Sequence, residues 1–389
     1  MTDTHTLYRN KIIHGLYLGV LKPIFFLQDP EMVHDYMIRV GAVLGKYSWS
    51  KAVTKGLFDY ESKNLSQDIL GMHFKNPMGL SAGFDKDAEL TSILPSVGFG
   101  FTEVGSITGE RCEGNPKPRL WRLPKSESLV VYYGLKNDGC EEIAKRLKGK
   151  HFDFPVGISV AATNCGENLD AENAVKDFAK AFRFMEPIGD YITVNISCPN
   201  AEGGQSFVNP QKLDYLFNIL DEIPTKKPIF VKIPPDLSYS ELDAVLDVIY
   251  QHRIDGIVCT NLTKKRDNPK IVAKIVDENV PKVGGISGKV IKDLSDDVLL
   301  YISKKESRNR KDMKDGRRRK KFVLIASGGV FTAEDAYKKI RLGASLVQMI
   351  TGMIYEGPQI IGEINRGLVE LLKKDGFTNI SQAIGADIC

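Results

Sequence analysis

The stretch "KFVLIASGGVFTAEDAYKKIRLGASLVQMITG", residues 321–352, decides the fold. An apolar, β-branched run ends in two glycines, Thr332 opens an amphipathic segment, and a second apolar run ends at Thr351. Strands buried on both faces read as continuous apolar runs, and their alternation with helix is the pattern of parallel βα units. Six more such runs precede this stretch: "NPMGLSAG", "GFTEVGSI", "FPVGISVA", "DYITVNIS", "PIFVKIP" and "DGIVCTN". Amphipathic segments lie between them, such as "ELDAVLDVIYQH", opened by the capping-box pair Ser238 and Glu241. Eight units over about 300 residues predict an α/β fold of the (β/α)8 TIM-barrel type rather than an open doubly wound sheet. Residues 111–138, with Pro116, Pro118 and Pro124, are too many for a plain βα loop and are expected to form a lid or hairpin over one end.

Before the barrel, residues 1–70 read as a helical extension, with "DPEMVHDYMIRVGAVLG" placing apolar residues at helical spacing after an Asp-Pro start. Residues 71–389 form the barrel region. The segment "LYRNKIIHGLYLGVLKPIFFLQ" mixes apolar, aromatic and basic residues, as suits a helix at a bilayer surface, over an apolar pocket, or packed on the main domain. Its uncharged core, "IIHGLYLGVL", is about half of the roughly 20 residues that a spanning helix needs. No signal-peptide pattern is expected here.

Composition narrows the chemistry. Of the net charge of +4, the insertion at 304–321 alone holds 11 basic and 3 acidic residues, so basicity is local and a general nucleic-acid surface is not implied. A solvated insertion is the plain reading, with anionic lipid or RNA as the alternative. Six cysteines without a CxxC pair, and six histidines without HExxH, point to reduced thiols and no metal site.

Barrel chemistry sits at the C-terminal ends of strands. Here those ends carry residues 83–86, Ser106, Ser159, Asn195 with Asn200, Lys232, Thr260 with Asn261, Gly328 with Gly329, and Thr351. Glycines after the seventh and eighth strands suggest backbone N–H groups facing a phosphate. Lys86 and Lys232 end apolar strands, where a cation calls for an anionic partner such as a phosphate, a carboxylate or an anionic flavin ring. Cys198, in "VNISCPN" and with no histidine close in sequence, reads as a base for proton abstraction rather than a nucleophile. Asn195, Asn200 and Asn261 offer paired donors and acceptors to a flat, amide-rich ligand.

These motifs, with "NPMGLSAGFDKDAE", "GFGFTEVGSITGERCEGNPKPRLWRLP", "VKIPPDLS", "TNLT", "GGISGK", "GASLVQMITG" and "AIGAD", resemble dihydroorotate dehydrogenase from about residue 29 to 387. The resemblance implies an FMN-containing barrel oxidising dihydroorotate to orotate in pyrimidine biosynthesis. It implies FMN contacts at Ser81, Ala82, Gly83, Ser106, Ser159, Asn195, Lys232, Thr260, Gly288, Gly328, Gly329 and Thr351. Orotate contacts are implied at Lys86, Tyr133, Gly134, Leu135, Asn195, Asn200 and Asn261. Cys198 would take the C5 proton, hydride would leave C6 for the flavin, and Lys232 would stabilise the charge that develops.

The helical extension resembles that of the membrane-associated, quinone-using class, in which it forms a tunnel for quinone. Arg122 and His34 match polar positions there, and Phe25 stands where some members have glutamine. This implies peripheral attachment at the cytoplasmic side of a membrane, or at the mitochondrial inner membrane in a eukaryote, with no nucleic-acid partner and no metal. The chain departs from that class in having Cys198, the base of the soluble classes, where serine is usual. Leu135 and Ala201 replace the phenylalanine and threonine that accompany that serine. Val131 and Leu262 replace polar residues near orotate, and Ser159 an asparagine near the flavin. The competing reading is a related FMN barrel oxidoreductase with another cyclic amide substrate or a soluble acceptor such as fumarate.

Overall fold

The computed structural model describes residues 3–166, 170–197, 207–275, 279–311 and 321–388. Eight parallel strands close a barrel: Met78–Leu80, Phe101–Ile107, Val156–Val160, Tyr191–Asn195, Ile229–Ile233, Gly256–Cys259, Val323–Ser327 and Leu346–Met349. Each pairs with the next, and the eighth closes on the first through Val347 opposite Met78. Every apolar run read from the sequence contains one of these strands. Their middle residues are buried because the ring of helices covers the outer face while the barrel fills its own interior.

The helices begin where their caps require. Ser238 accepts from the backbone of Glu241 while Glu241 accepts from the backbone of Ser238, and Thr332 with Asp335 repeats this at Ala333–Arg341. The expected lid is a hairpin, Leu120–Leu123 with Ser128–Val131, and a third strand, Gly285–Gly288, pairs on its open side.

Residues 1–70 are not wholly helical. Helices Asp3–Leu16, Pro30–Leu44 and Ser48–Phe58 are followed by a small hairpin, Gln67–Ile69 with Met72–Phe74, turned by Leu70 and Gly71 at positive φ. It carries Phe74 against Phe101, with centroids 5.6 Å apart, at the N-terminal end of the barrel.

The helical extension is tied down by long-range polar contacts. Arg9 donates to the carbonyls of Gly56 (2.9 Å) and Asp59 (3.1 Å), and Tyr17 donates to the carbonyl of Ile354 (2.6 Å). Glu31 pairs with Arg119 of the lid at 2.8 Å, both side chains being almost fully buried. Its outward face stays apolar, with Ile12, Leu27 and Trp49 well exposed. No helix among the described residues is long and apolar enough to cross a membrane.

Candidate active site

The C-terminal strand ends and the lid enclose one cavity, about 1260 Å³ including its open mouth. Ser81, Ala82, Gly83 and Lys86 line it from the loop after the first strand, and Ser106, Asn195, Lys232, Thr260 and Asn261 from later strand ends. Gly328, Gly329 and Thr351 come from the last two loops, and Tyr133, Gly134, Leu135 and Gly288 from the lid side. Ser159 does not line the cavity. It lies beneath Ser106, with their hydroxyl oxygens 2.7 Å apart, because the third strand sets it in register with Thr193, one layer deeper in the barrel. Cys198 and Asn200 lie outside the described residues, as does half of the basic insertion, residues 312–320.

A continuous hydrogen-bond network holds the amide side. Asn195 donates from Nδ2 to Ser106 Oγ (2.9 Å), and its Oδ1 accepts from the Ser197 backbone (3.2 Å) and hydroxyl (3.1 Å). Asn261 donates to the Ser197 carbonyl at 3.1 Å and accepts from the Leu262 backbone at 2.9 Å. Both amides are fixed in orientation by partners behind them, which is what recognition of a planar amide ligand demands.

Two lysines on this wall differ in their support. Lys232 is buried, and its Nζ donates to Ser81 Oγ at 3.1 Å. Among the described residues it has no carboxylate within ion-pair distance. Burial lowers its pKa, while the more distant Glu103 opposes that. Glu103 itself is fully buried inside the barrel, accepting from Thr193 (2.8 Å) and Gln348 (3.2 Å). Lys86 lies over the Tyr133 ring at 4.0 Å and 3.4 Å from His34 Nε2. Burial, then the charge of Lys136, brings it down to about 8. Asp85, next to it, fixes the loop by accepting from the backbones of Glu89 (2.8 Å) and Leu90 (2.9 Å); its own carboxyl is raised to about 6 by burial.

The extension reaches this wall through His34. Its Nε2 meets the Phe84 carbonyl at 2.8 Å and its Nδ1 meets Asp35 at 3.3 Å. Burial and Lys86 lower the imidazole pKa even so. Arg122 donates to the Gln28 carbonyl (2.8 Å) and lies 4.7 Å over the Phe26 ring. Leu129, Phe331 and Ile354, on the apolar flank of the cavity, pack with Phe26 and Tyr355. Polar and apolar walls therefore meet in one space.

Reading strand ends missed several residues of this wall. Ser287 bonds to Thr351 across 2.9 Å from a strand with two glycines, and Gln348 comes from inside a strand read as apolar. Lys136 sits in a loop, where a lysine ordinarily reads as solvated. Strand alternation carries a signal for Gln348, since every second residue points inward. Neither Ser287 nor Lys136 has such a signal.

The cavity suits a flat, charge-accepting ring that also carries a phosphate. A buried cation without an anion is costly, and a ring that accepts negative charge relieves it. A Cβ on Gly83, a wall residue at φ +110, would meet only Ile350 at 4.0 Å, so the backbone there is open to close approach by a ligand. Gly328 and Gly329, at φ +116 and +70, hold a turn whose backbone can face a phosphate.

Comparison with known proteins bears on the family. A family model described as dihydroorotate dehydrogenase matches residues 64–372. A dihydroorotate dehydrogenase (quinone) of Trichodesmium erythraeum is 35% identical over 389 residues, covering 95% of this chain and 98% of that protein. One of Haloarcula marismortui is 37% identical over 326 residues, covering 84% and 87%. The crystal structure of ligand-free DHODH from Eimeria tenella matches with a TM-score of 0.76 and 31% identity, covering 92% of this chain and 99% of that one. The match spans helical extension and barrel alike, and the chain belongs to the dihydroorotate dehydrogenase family, in its quinone class.

Proposed function

We propose that this enzyme oxidises dihydroorotate to orotate in pyrimidine biosynthesis, with FMN bound in the cavity, Cys198 as the base and a quinone as final electron acceptor. The carrying observation is the buried Lys232, with no carboxylate in ion-pair distance among the described residues, on the same wall as the fixed amides Asn195 and Asn261.

Bound FMN supplies the acceptor for the hydride that leaves C6. Ser81, Ala82, Gly83, Ser106, Thr260 and Lys232 would hold its ring, and Gly288, Gly328, Gly329 and Thr351 its phosphate. Ser159 supports this indirectly, by fixing the Ser106 hydroxyl. Lys232 presents a preorganised positive charge where negative charge gathers during transfer, at no cost of reorganisation. Asn195, Asn200 and Asn261 pair with the ring amides of dihydroorotate, Lys86 faces its carboxylate, and Tyr133, Gly134 and Leu135 close over it. Cys198 takes the C5 proton onto sulfur. Its chain neighbour Ser197 is bonded to both wall asparagines, which supports that placement.

The apolar flank shared with Phe26 would admit the quinone ring, with Arg122 and His34 as its polar contacts. The exposed apolar face of the helical extension would rest on the membrane surface, at the cytoplasmic side or, in a eukaryote, on the mitochondrial inner membrane.

Anaerobic mixing with dihydroorotate should bleach the flavin absorbance, and a quinone should restore it. Absence of bleaching rules out the substrate. Recovery with fumarate but not with quinone rules out the acceptor.

A further inference from the structure

The cavity wall carries Lys86, Lys136 and Lys232 and, among the described residues, no aspartate or glutamate. Lys232 is explained by the flavin reading. The other two share the opposite, lid-side end, and the proposed function uses only Lys86.

Lys136 is held in place by its neighbours rather than by its own contacts. Leu135 before it has φ +63, a left-handed conformation that fixes the turn. Asn137 after it pairs both ways with the Cys112 backbone at 2.9 and 3.0 Å, and its side chain donates to the Leu135 carbonyl at 2.8 Å. Lys136 itself is half-buried and, among the described residues, makes no hydrogen bond or ion pair. The acids nearest this end are already engaged: Glu31 by Arg119, Asp35 by His34, with the charge of Lys136 acting on it without an ion pair, and Asp87 by the Asp138 backbone. Val131 and Leu262, also on the wall, cannot neutralise a cation. Two like charges facing one partly dry space repel until an anion lies between them.

We propose that Lys136 is a second cation for the substrate carboxylate, clamping it together with Lys86 and so selecting an anionic ring over a neutral one. This rests on the dihydroorotate reading and names the residue that gives it charge selectivity. A carboxylate has two oxygens and room for both ammonium groups, and each such contact is charge-assisted. The groups facing Lys86 are His34, Asp35, Asp87, Glu31, Tyr133 and Lys136. Lys136 is the one that depresses its charge most after burial. Orotate affinity should therefore fall as pH rises through about 8, where Lys86 loses its proton, and removing Lys136 should move that fall to higher pH.

The test uses FMN-loaded wild type, Lys136→Met and Lys136→Arg. Dissociation constants are measured for orotate and for its neutral carboxamide, by the perturbation of flavin absorbance, from about pH 7 to about pH 10. Lys136→Met should weaken orotate on the order of tenfold, the scale of one charge-assisted hydrogen bond. It should leave the carboxamide unchanged and shift the alkaline limb upward, while Lys136→Arg stays near wild type. Unchanged orotate binding in Lys136→Met, or equal weakening of both ligands, overturns the proposal. Failure of wild type to bind orotate overturns the substrate reading and this proposal with it.

Discussion

The two ends of the same eight strands make opposite use of their residues. At the N-terminal end Phe74, Phe101, Tyr191, Phe230, Val258, Ile325 and Leu346 form a sealed apolar plug. Tyr191 packs on Phe230 with centroids 5.1 Å apart, and strand glycines make room: a Cβ on Gly157 would run into the Tyr191 ring, and one on Gly256 into Phe230. At the C-terminal end the same strands present Ser106, Asn195, Lys232, Thr260 and Asn261 to a cavity. One end gains stability from burial. The other holds polar groups in readiness for a ligand, at a cost the plug helps to offset. Stability and chemistry should therefore respond to substitutions at different ends.

The largest expected effect separates them most sharply. Cys198→Ala should lower the rate of flavin reduction by about 10²–10⁴-fold, the usual worth of a general base, with Tm unchanged. Cys198→Ser should only slow it. Equal reduction rates for the alanine variant and wild type would remove Cys198 from the chemistry. At the other end, Phe230→Ala should cost about 3–5 kcal/mol by leaving a cavity in the plug, seen as a lower denaturation midpoint, with KM for dihydroorotate unchanged. A large KM change would show that the ends are mechanically coupled.

A third region belongs to neither end. Glu31→Gln leaves the buried Arg119 without its counter-charge, at a cost of about 3–5 kcal/mol near neutral pH. Arg119 holds the Glu31 carboxyl below its ordinary pKa despite burial. The pair's contribution is thus full above the ordinary carboxylate value and is lost as pH falls through the depressed one. Denaturation midpoints of wild type and variant should converge on acidification; a constant gap contradicts this. The smallest effect is at the exposed face. Leu27→Ser, at a residue 89% exposed, should change stability by no more than about 0.5 kcal/mol yet weaken binding to phospholipid vesicles in a sedimentation assay. Unchanged vesicle binding would place the membrane contact elsewhere.

Much of this contrast was legible in the sequence, for physical reasons. Doubly buried strands leave continuous apolar runs, and polar residues gather where those runs stop, so barrel and cavity wall could be read together. Paired elements far apart in the chain could not. The Glu31–Arg119 pair spans 88 residues, and neither residue carries a local pattern. The three-residue strands around Leu70 are too short to show alternation. Gly285–Gly288 becomes a strand only because the lid hairpin offers it an edge. Ser159 lies near a strand end as expected, but a strand end does not reveal how deep in the barrel a side chain sits, and here it supports Ser106 from beneath.

On the proposed reading, Lys232 at the barrel's C-terminal end is a buried cation that awaits negative charge on a bound flavin. The most direct test of that claim is the midpoint potential of the FMN in Lys232→Met, measured by anaerobic dye equilibration beside wild type. The potential should become more negative, because reduction then places charge next to a methyl thioether instead of an ammonium. A potential equal to that of wild type, with FMN fully bound, would contradict the claim.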